Sequence, residues 1–345
     1  MTTWMIYGAN GYTGGLIAEL AVRRGLRPVL AGRSAAKISP LAERLGLEHR
    51  AFDLDHAAEA LRDVDVVAHC AGPFSATSRP MVDACLASGT HYTDITGEID
   101  VFEAVAARDE EAKAAEVVLL PGAGFDVVPT DCVAAMLAAA LPGATHLDLA
   151  FTAGGGASPG TTKTSVEGSA SGGRARVDGE LRDVRLGHRR RSAAFRSGAR
   201  DVGSIPWGDV STAYRSTGIP NITTFTAMPG LTGHLQALFA PLLRTSLVQG
   251  FGKAVAQRIA GPDEALRGRT RSEVWGEVSD AEGRTASVAL TAPNAYDLTA
   301  DAVVRIAQRL LEGDVPAGSH TPSSAFGADF VRTLDGVTVD EVVRT

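Results

Sequence analysis

The sequence has few cysteines and no excess of positive charge over its 345 residues. Its three cysteines, Cys70, Cys85 and Cys132, lie inside apolar segments without C-x-x-C spacing. Neither a disulfide framework nor a zinc site is therefore indicated. With 33 basic and 40 acidic residues, the net charge of −7 offers no electrostatic basis for nucleic-acid binding, and we expect none.

The chain also lacks a long apolar run. No stretch approaches the roughly 18 residues of a membrane span, and the segment from Met1 to Tyr7 is too short and too weakly basic for a signal peptide. We therefore expect a cytoplasmic protein with reduced thiols. A content of 45% hydrophobic and 21% charged residues, over a length that allows two domains, is typical of a globular protein with a sizeable core.

A glycine-rich stretch follows the short apolar run from Trp4 to Tyr7 and precedes an apolar-periodic segment that extends to Arg24. A buried strand, a glycine turn and a helix N-terminus in that order form an anion site, here for the pyrophosphate of a dinucleotide. The spacing, G-x-x-G-x-x-G, departs from the standard fingerprint, so a simple helix-start turn is the alternative. Its place directly after the first strand favours the dinucleotide site, and the predicted ligand residues are Gly8, Asn10, Gly11, Tyr12, Thr13 and Gly14.

The end of the next predicted strand, residues 27–31, indicates which dinucleotide binds. A cofactor without a 2′-phosphate usually meets an Asp or Glu at this point, but here the sequence reads Gly32-Arg33-Ser34, with Lys37 one turn further. A guanidinium suits a 2′-phosphate, because Arg offers a fixed fork of donors. We therefore predict that these four residues bind NADP(H) rather than NAD(H). The alternative is a surface arginine beside the helix cap Ser34.

Further apolar runs at residues 47–52, 64–70 and 117–120 alternate with helical segments. This pattern predicts an α/β fold with a doubly wound parallel sheet that binds ligands at the carboxyl ends of its strands. Asp53, after the third strand, could accept from the adenine amino group or cap the helix from Ala57. The stretch after the fourth strand, Ala71-Gly72-Pro73-Phe74, would pass the nicotinamide ribose, or is only a Gly-Pro turn.

No Ser-His-Asp order, metal-ligand cluster or kinase loop is present, so the reactive group is expected to be the hydride of the cofactor. An acid must then supply the proton. The candidate catalytic residues are Tyr92, Glu98 and Asp126, all expected in loops at the carboxyl edge of the sheet. Each has a structural alternative: Tyr92 as a core residue, Glu98 as a helix-start carboxylate, and Asp126 as a residue that fixes its own loop.

Five motifs occur in order along the chain: Gly8 to Gly14, Ala71-Gly72-Pro73-Phe74, Tyr92-x-Asp94-x-x-Gly97-Glu98, Gly124-Phe125-Asp126-x-x-Pro129-x-Asp131, and Tyr296-Asp297-Leu298-Thr299-Ala300. Together they resemble the saccharopine dehydrogenase-like oxidoreductases, including the trans-acting enoyl reductases of actinobacteria. The resemblance implies a Rossmann domain over residues 1–131, an inserted mixed α/β domain over 132–291, and a segment, 292–345, that returns to the Rossmann domain. Ser75-Ala76-Thr77-Ser78 departs from the Tyr-x-x-Gly-like stretch common in the enoyl reductases, which leaves the substrate open.

The middle of the chain carries weaker signals. Residues 160–165, with Lys163, could hold a carboxylate or a phosphate, or form a well-capped helix. The arginine-rich stretch over 174–200 is interpreted as the solvated face of an antiparallel sheet. From residue 210 to 262 there is no acidic residue, and leucines recur at helical spacing between 231 and 251. This segment is interpreted as a core or homodimer helix, the wall of an acyl pocket, or a peripheral membrane contact.

The functional hypothesis is an NADPH-dependent reductase that transfers hydride to the C=C bond of a hydrophobic small-molecule substrate. The acid-free, leucine-rich segment favours this substrate class, because an acyl chain needs an apolar slot. A C=N reductase acting on an amino-acid-derived imine is the alternative within the enzymes. A non-catalytic NADP-binding protein is the alternative outside them.

Overall fold

The computed structural model describes residues 3–154, 156, 172–227 and 261–345. The chain divides into two compact units. Unit 1 comprises Met1–Asp126 and Tyr296–Phe326, and unit 2 comprises Val127–Ala295 and Gly327–Thr345. The two predicted segments at residues 160–165 and 231–251 lie outside the described residues.

Unit 1 begins with an alternation of strands and helices. The strands are β1 Trp4–Tyr7, β2 Val29–Gly32, β3 His49–Ala51, β4 Val66–His69, β5 His91–Asp94 and β6 Val118–Leu120. The helices are α1 Tyr12–Arg23, α2 Ala35–Leu45, α3 Ala57–Ala60, α4 Phe74–Ser88, α5 Ile99–Ala106 and α6 Asp109–Ala114.

Unit 2 combines helices with a large sheet. Its helices within the described ranges are α7 Val128–Ala140, α8 Asp209–Thr217 and α9 Glu264–Arg269. Its longer strands are β7 His146–Ala153, β8 Gly173–Val177, β9 Glu180–Val184, β10 Arg190–Phe195, β11 Gly198–Ile205, β12 Asn221–Ala227, β13 Ser272–Ser279 and β14 Thr285–Ala292. The C-terminal part of the chain adds α10 Ala295–Glu312, β15 Gly318–Ser319, α11 Pro322–Phe326, β16 Thr338–Val339 and β17 Val343–Arg344.

The described strands of unit 1 form a seven-stranded sheet in the order β15-β6-β5-β4-β1-β2-β3, and all its pairs are parallel. Strand order reverses between β1 and β4, which defines the crevice where doubly wound sheets bind ligands. The short strand β15 joins the sheet beside β6, so the C-terminal part of the chain returns to it. The predicted Rossmann-type fold is confirmed.

Burial explains why these segments form strands. All four residues of β1 and of β4 are buried, as a strand covered on both faces requires. Helix α1 buries one face through Ile17, Ala18 and Ala21. It ends before Gly25, which takes a φ of +78° that other residues rarely adopt.

One predicted loop is a strand. The polar stretch His91-Tyr92-Thr93-Asp94 is β5, paired in parallel with both β4 and β6. Its polar side chains make their hydrogen bonds inside the sheet, so the apolar run that normally marks a buried strand is missing. The expectation that Tyr92 lies in a loop was therefore wrong.

Unit 2 contains a ten-stranded mixed sheet among the described residues, with the path β10-β11-β12-β7-β13-β14-β16. Strand β7 pairs in parallel with β12, and β13 is antiparallel to both β7 and β14. Helix α7 packs on one face of this sheet, where Gly276 leaves room: a Cβ there would lie 2.6 Å from Val133 Cγ1. This sheet is the mixed α/β part that the resemblance implies.

The arginine-rich stretch of unit 2 forms the antiparallel strands that its sequence predicts, and these are β8 to β11. Most of its arginines are exposed, as the solvated-face interpretation expects, but Arg191 lies over the Trp275 ring and pairs with two carboxylates. Across the ranges that the structure describes, no helix is both long enough and apolar enough to span a membrane.

Candidate functional site

The glycine-rich loop lies at the strand-order reversal of the unit 1 sheet. Gly8 has a φ of +89°, and a Cβ on it would lie 2.8 Å from the backbone nitrogen of Ala71, which follows β4. A Cβ on Gly14 would lie 2.5 Å from the Gly8 carbonyl oxygen. The loop closes through a 2.9 Å hydrogen bond from Gly11 N–H to the same carbonyl. Glycine is required here because the backbones of the loop, the end of β4 and the first turn of α1 lie so close together that they leave no room for a Cβ.

The N-terminus of α1 fits a pyrophosphate. Its N-cap is Gly11, which has no side chain to accept from the first turn, and the first turn carries no acidic residue. Tyr12, Thr13 and Gly14 form that turn, whose backbone N–H groups have no acceptor within the helix. An uncapped helix end beside a cradle that a Cβ would fill is suited to a phosphate anion.

The end of β2 and the first turn of α2 each supply one cation beside this loop. Arg33 and Lys37 are exposed, and within the described parts of the chain neither makes a hydrogen bond or an ion pair. Burial raises the pKa of the Tyr7 phenol, Arg33 opposes the shift and Asp53 adds to it, which places both charged groups near Tyr7. Ser34 is the N-cap residue of α2 but its side chain makes no cap hydrogen bond. The predicted 2′-phosphate residues therefore hold unpaired positive charge.

A cleft of about 550 Å³ opens between the glycine-rich loop, α1 and α2. Asn10, Gly11 and Tyr12 line it from the loop, and Lys37 and Arg44 line it from α2. The Asn10 side chain also reaches towards β2, since a Cβ on Gly32 would lie 3.2 Å from Asn10 Oδ1. The loop and the end of β2 thus form one continuous surface.

The turn after β4 is held by a buried histidine and a threonine. Gly72 and Pro73 are joined by a cis peptide bond. The Thr77 hydroxyl lies 2.8 Å from the Ala71 carbonyl, 3.0 Å from the Pro73 carbonyl and 3.0 Å from His69 Nε2. Complete burial lowers the pKa of His69 to about 3, so the ring is neutral. Since the hydroxyl proton goes to a carbonyl, Nε2–H donates to Thr77 and fixes the tautomer.

Glu98 joins this turn to the loop after β5. Its carboxylate accepts from the backbone N–H groups of Phe74, at 2.9 Å, and Ser75, at 2.8 Å. These are the first residues of α4, whose N-cap, Pro73, offers no side-chain acceptor. Glu98 therefore acts as a distant cap for α4, in line with the helix-start alternative, although the helix it caps is not its own.

Asp94 accepts several hydrogen bonds at the centre of the site, and it was not among the site residues predicted from the sequence. It is 1% exposed and accepts from Tyr92 Oη at 2.6 Å, Thr96 N–H at 3.0 Å and Gly122 N–H at 2.8 Å. Burial raises the pKa of Asp94 to about 6, against the effect of these hydrogen bonds. Tyr92 is itself fully buried, and burial raises the pKa of its phenol well above 10, so the phenol keeps its proton and donates a hydrogen bond to Asp94. The motif Tyr92-x-Asp94 was the signal that could have identified this pair.

Asp126 lies in the loop after β6, as expected. Its side chain is partly buried against the loop after β5, because a Cβ on Gly97 would lie 2.8 Å from Asp126 Oδ2. Desolvation raises the pKa of Asp126 from 3.8 to about 7. At neutral pH this carboxyl group exchanges between its protonated and ionised forms, as a general acid or base requires.

Helix α10 contributes two residues to the same edge of unit 1. Tyr296 packs edge-on against Tyr12 with ring centroids 4.9 Å apart. Thr299 Oγ1 accepts from the Phe125 N–H at 3.0 Å, and Gly124 gives it room. Neither Tyr296 nor Thr299 was among the site residues predicted from the sequence, although the C-terminal motif contains both.

The predicted residues of unit 1 thus converge on the carboxyl edge of one sheet. The glycine-rich loop and the stretch after β4 are in direct backbone proximity, and Asp94 and Glu98 connect the loops after β4, β5 and β6. Tyr92 does not reach the surface of this edge. Asp53 begins a short 3-10 helix, Leu54–His56, without a side-chain cap bond.

Comparison with known proteins finds similarity in the N-terminal part of the chain. Residues 4–120 match the saccharopine dehydrogenase NADP binding domain. A putative trans-acting enoyl reductase of Mycobacterium tuberculosis is 34% identical over 144 residues, which cover 37% of this chain and 33% of that protein. A saccharopine dehydrogenase-like oxidoreductase of Bos taurus is 29% identical over 151 residues, which cover 37% of this chain and 35% of that protein. The chain thus spans about a third of the length of these curated relatives.

A solved structure shows the same fold. The apo histidine-tagged saccharopine dehydrogenase (L-Glu forming) from Saccharomyces cerevisiae matches over 100% of both chains, with a TM-score of 0.65 at 11% sequence identity. The match of the N-terminal domain agrees with the phosphate-binding geometry at α1 and the cations after β2. On this evidence residues 4–120 are similar to the saccharopine dehydrogenase NADP binding domain, and the chain has the fold of saccharopine dehydrogenase.

Proposed function

We propose that this protein is an NADPH-dependent reductase that transfers hydride to the C=C bond of a hydrophobic substrate. The observation that carries the proposal is the pair of exposed cations, Arg33 and Lys37, which have no partner in the described chain and lie beside the glycine cradle. An unpaired cation just after β2 and another in the first turn of α2 suit the 2′-phosphate that distinguishes NADP(H) from NAD(H).

The residues present fit that cofactor. The cradle at Gly8 and Gly14 leaves space that a Cβ would fill, and the uncapped first turn of α1 offers N–H donors to the pyrophosphate. Arg33 and Lys37 would hold the 2′-phosphate, and the Ala71–Phe74 stretch would lie along the nicotinamide ribose. When bound, the nicotinamide supplies a hydride.

The chain itself must then supply a proton. Hydride addition to one carbon of the C=C bond leaves negative charge that a proton must neutralise at the other carbon. Asp126 is the candidate donor, because a pKa of about 7 leaves roughly half of this group protonated at neutral pH. It lies in a loop at the carboxyl edge, where the substrate of a doubly wound sheet binds.

The two other candidates fit better as positioning residues. Tyr92 is buried and its proton is already shared with Asp94 at 2.6 Å. Glu98 uses both carboxylate oxygens on backbone N–H groups at the start of α4. Glu98 joins the turn after β4 to the loop after β5, and Asp94 joins β5 to Gly122 in the loop that carries Asp126.

The C=C assignment draws on the relative from Mycobacterium tuberculosis, which is named a putative trans-acting enoyl reductase. Reduction of a C=N bond is the second candidate, since the relative from Bos taurus is named a saccharopine dehydrogenase-like oxidoreductase. We expect the reaction to take place in the cytoplasm, since Cys70, Cys85 and Cys132 are free thiols. A non-catalytic NADP-binding role would bind the cofactor without turnover.

The first test is a titration of the full chain with NADPH and NADH, repeated on Arg33→Ala. We expect the variant to weaken NADPH binding by about 10-fold or more, because a hydrogen bond to a charged group contributes about 1.5–3 kcal/mol. NADH binding should change little. The control is Arg62→Ala, which removes an exposed arginine that lies after α3. Equal affinity for both nucleotides, or equal loss for both in Arg33→Ala, would contradict the 2′-phosphate assignment.

The second test concerns the reaction. NADPH consumption is followed with a panel of enoyl thioesters and cyclic imines, on the wild type and on Asp126→Asn. Turnover of enoyl substrates that Asp126→Asn abolishes, with NADPH binding intact, would support both the C=C reaction and the proton donor. Turnover of imines alone would select the C=N alternative. Cofactor binding without any turnover would favour a non-catalytic protein.

A further inference from the structure

The large sheet of unit 2 curls onto itself. Strand β10 packs against β13 and β14, although it is several strands away from them along the hydrogen-bonded path. The face opposite α7 is therefore enclosed. We call it the inner face and define it by the residues that lie side by side on β7, β13 and β14: Asp148, Glu277 and Ser287; Ala150, Trp275 and Ala289; Thr152, Glu273 and Thr291.

The three rows of the inner face differ in chemistry. The middle row is apolar and packs with Ala193, Phe195, Val202 and Phe225 into a buried cluster. The first row is ionic: Asp148 accepts from Arg189 at 2.7 Å and from Arg191 at 2.6 Å, and Arg191 also pairs with Glu277 at 2.7 Å. The charges of two arginines and two carboxylates therefore cancel at this end of the inner face.

The third row forms the floor of a pocket of about 510 Å³ at the opposite end. The β10–β11 hairpin covers it with Arg196, Ser197 and Arg200, and Arg271 closes it just before β13. Three arginines and three hydroxyl groups thus surround one buried carboxylate, that of Glu273, which is 7% exposed.

The charges at this end do not balance. Glu273 is engaged by Ser197, whose N–H donates at 2.8 Å and whose hydroxyl donates at 2.5 Å, so it fastens the hairpin to β13. Arg200 lies farther from Glu273, at 3.6 Å, and Arg196 pairs with Asp340 at 2.9 Å. Arg271 donates only to the carbonyl groups of Gly268 and Thr270 within the described residues. Among the described residues, the guanidinium of Arg271 therefore has no carboxylate partner.

We propose that this pocket binds the oxyanion of a small molecule, a carboxylate or a phosphate. Arg271 supplies the uncompensated charge, Arg200 a second cation that is only loosely paired, and Thr152 and Thr291 hydroxyl donors. An oxyanion would complete the balance that the ionic row already shows at the other end. The site stands on unit 2 alone and is independent of the cofactor site in unit 1.

The test is calorimetric titration of the full chain with two probes, inorganic phosphate and succinate. Arg271→Gln removes the unpaired charge, and we expect it to weaken binding about 10-fold or more, in line with the contribution of a hydrogen bond to a charged group. Arg271→Lys, which keeps the charge without the fork, should retain intermediate affinity. The matched control is Arg182→Gln, which removes the same charge from β9, outside the pocket lining.

Both probes could also reach the phosphate-binding loop of unit 1, so each titration is repeated on Arg33→Ala. Binding that persists there and depends on Arg271 supports the unit 2 site, whatever happens to the cofactor proposal. Preference for phosphate or for succinate identifies the source of the oxyanion. Absence of binding in the wild type, an unchanged affinity in Arg271→Gln, or an equal loss in Arg182→Gln would overturn the proposal.

Discussion

Replacement of Asp126 by asparagine tests the carboxyl group on which the proposed proton transfer depends. The pKa of Asp126 is raised from 3.8 to about 7 by desolvation. Because the folded-state value lies above the unfolded one, ionisation opposes folding. The stability associated with the neutral form is complete below pH 3.8 and is lost as the pH rises towards 7. Asparagine imitates the neutral carboxyl and does not ionise.

The magnitude follows from the shift. At about 1.36 kcal/mol per pKa unit, a shift from 3.8 to about 7 amounts to about 4 kcal/mol. The Asp126 side chain is partly exposed, and solvent screening reduces this free energy. We therefore expect Asp126→Asn to be about 2–4 kcal/mol more stable than the wild type at pH 8. The difference should be near zero at pH 3.5, should grow between pH 4 and 7, and should level off above.

The assay is urea unfolding of both proteins at a series of pH values from 3.5 to 9. The difference curve removes the contribution of Asp94, whose pKa is also raised and which both proteins share. Asp63→Asn is a control of opposite sign, because the Arg50 hydrogen bond lowers the pKa of Asp63. That variant should lose a little stability above pH 4. A difference curve for Asp126→Asn that is flat, or that falls between pH 4 and 7, would refute the assigned shift.

Two glycine substitutions test packing at the two units. Gly14→Ala should weaken NADPH binding by at least about 10-fold, because its Cβ would lie 2.5 Å from the Gly8 carbonyl oxygen and the loop must move. The control in the same titration is Gly15→Ala, whose Cβ meets nothing closer than 3.8 Å. Gly276→Ala should destabilise the protein by about 1–3 kcal/mol in urea unfolding, since its Cβ would overlap the Val133 and Leu137 side chains on α7. Gly268→Ala, with open space around it, should not, and equal unfolding midpoints for these two variants would contradict the packing described.

The parallel sheet and its cofactor edge could be predicted from the sequence, because both depend on local signals. The run from Trp4 to Tyr7, the glycine turn and the α1 pattern are contiguous, and strands β1, β2, β4 and β6 each carry an apolar run. Arg33 was identifiable because the end of β2 has a known position relative to the glycine turn.

Three features could be recognised only in the tertiary structure. Strand β5 has no apolar run, since His91 and Thr93 form hydrogen bonds with the backbone of β6, and Tyr92 donates to Asp94 within the strand. Glu98 caps a helix that begins 24 residues earlier in the chain. Asp94 gathers donors from its own strand and from Gly122, so its role as a hub depends on how two loops meet.

The sequence by itself determined that this chain begins with a dinucleotide-binding α/β unit and that its cofactor end carries cations in place of a carboxylate. Only the tertiary structure decided which acid could hold a proton at neutral pH. It also decided that, within the part of the chain that is described, Arg271 at one end of the unit 2 sheet has no carboxylate partner. The physical reason is that local patterns arise between neighbours in the chain. Desolvation and charge balance depend instead on groups that folding brings together from 24 to more than 80 residues apart.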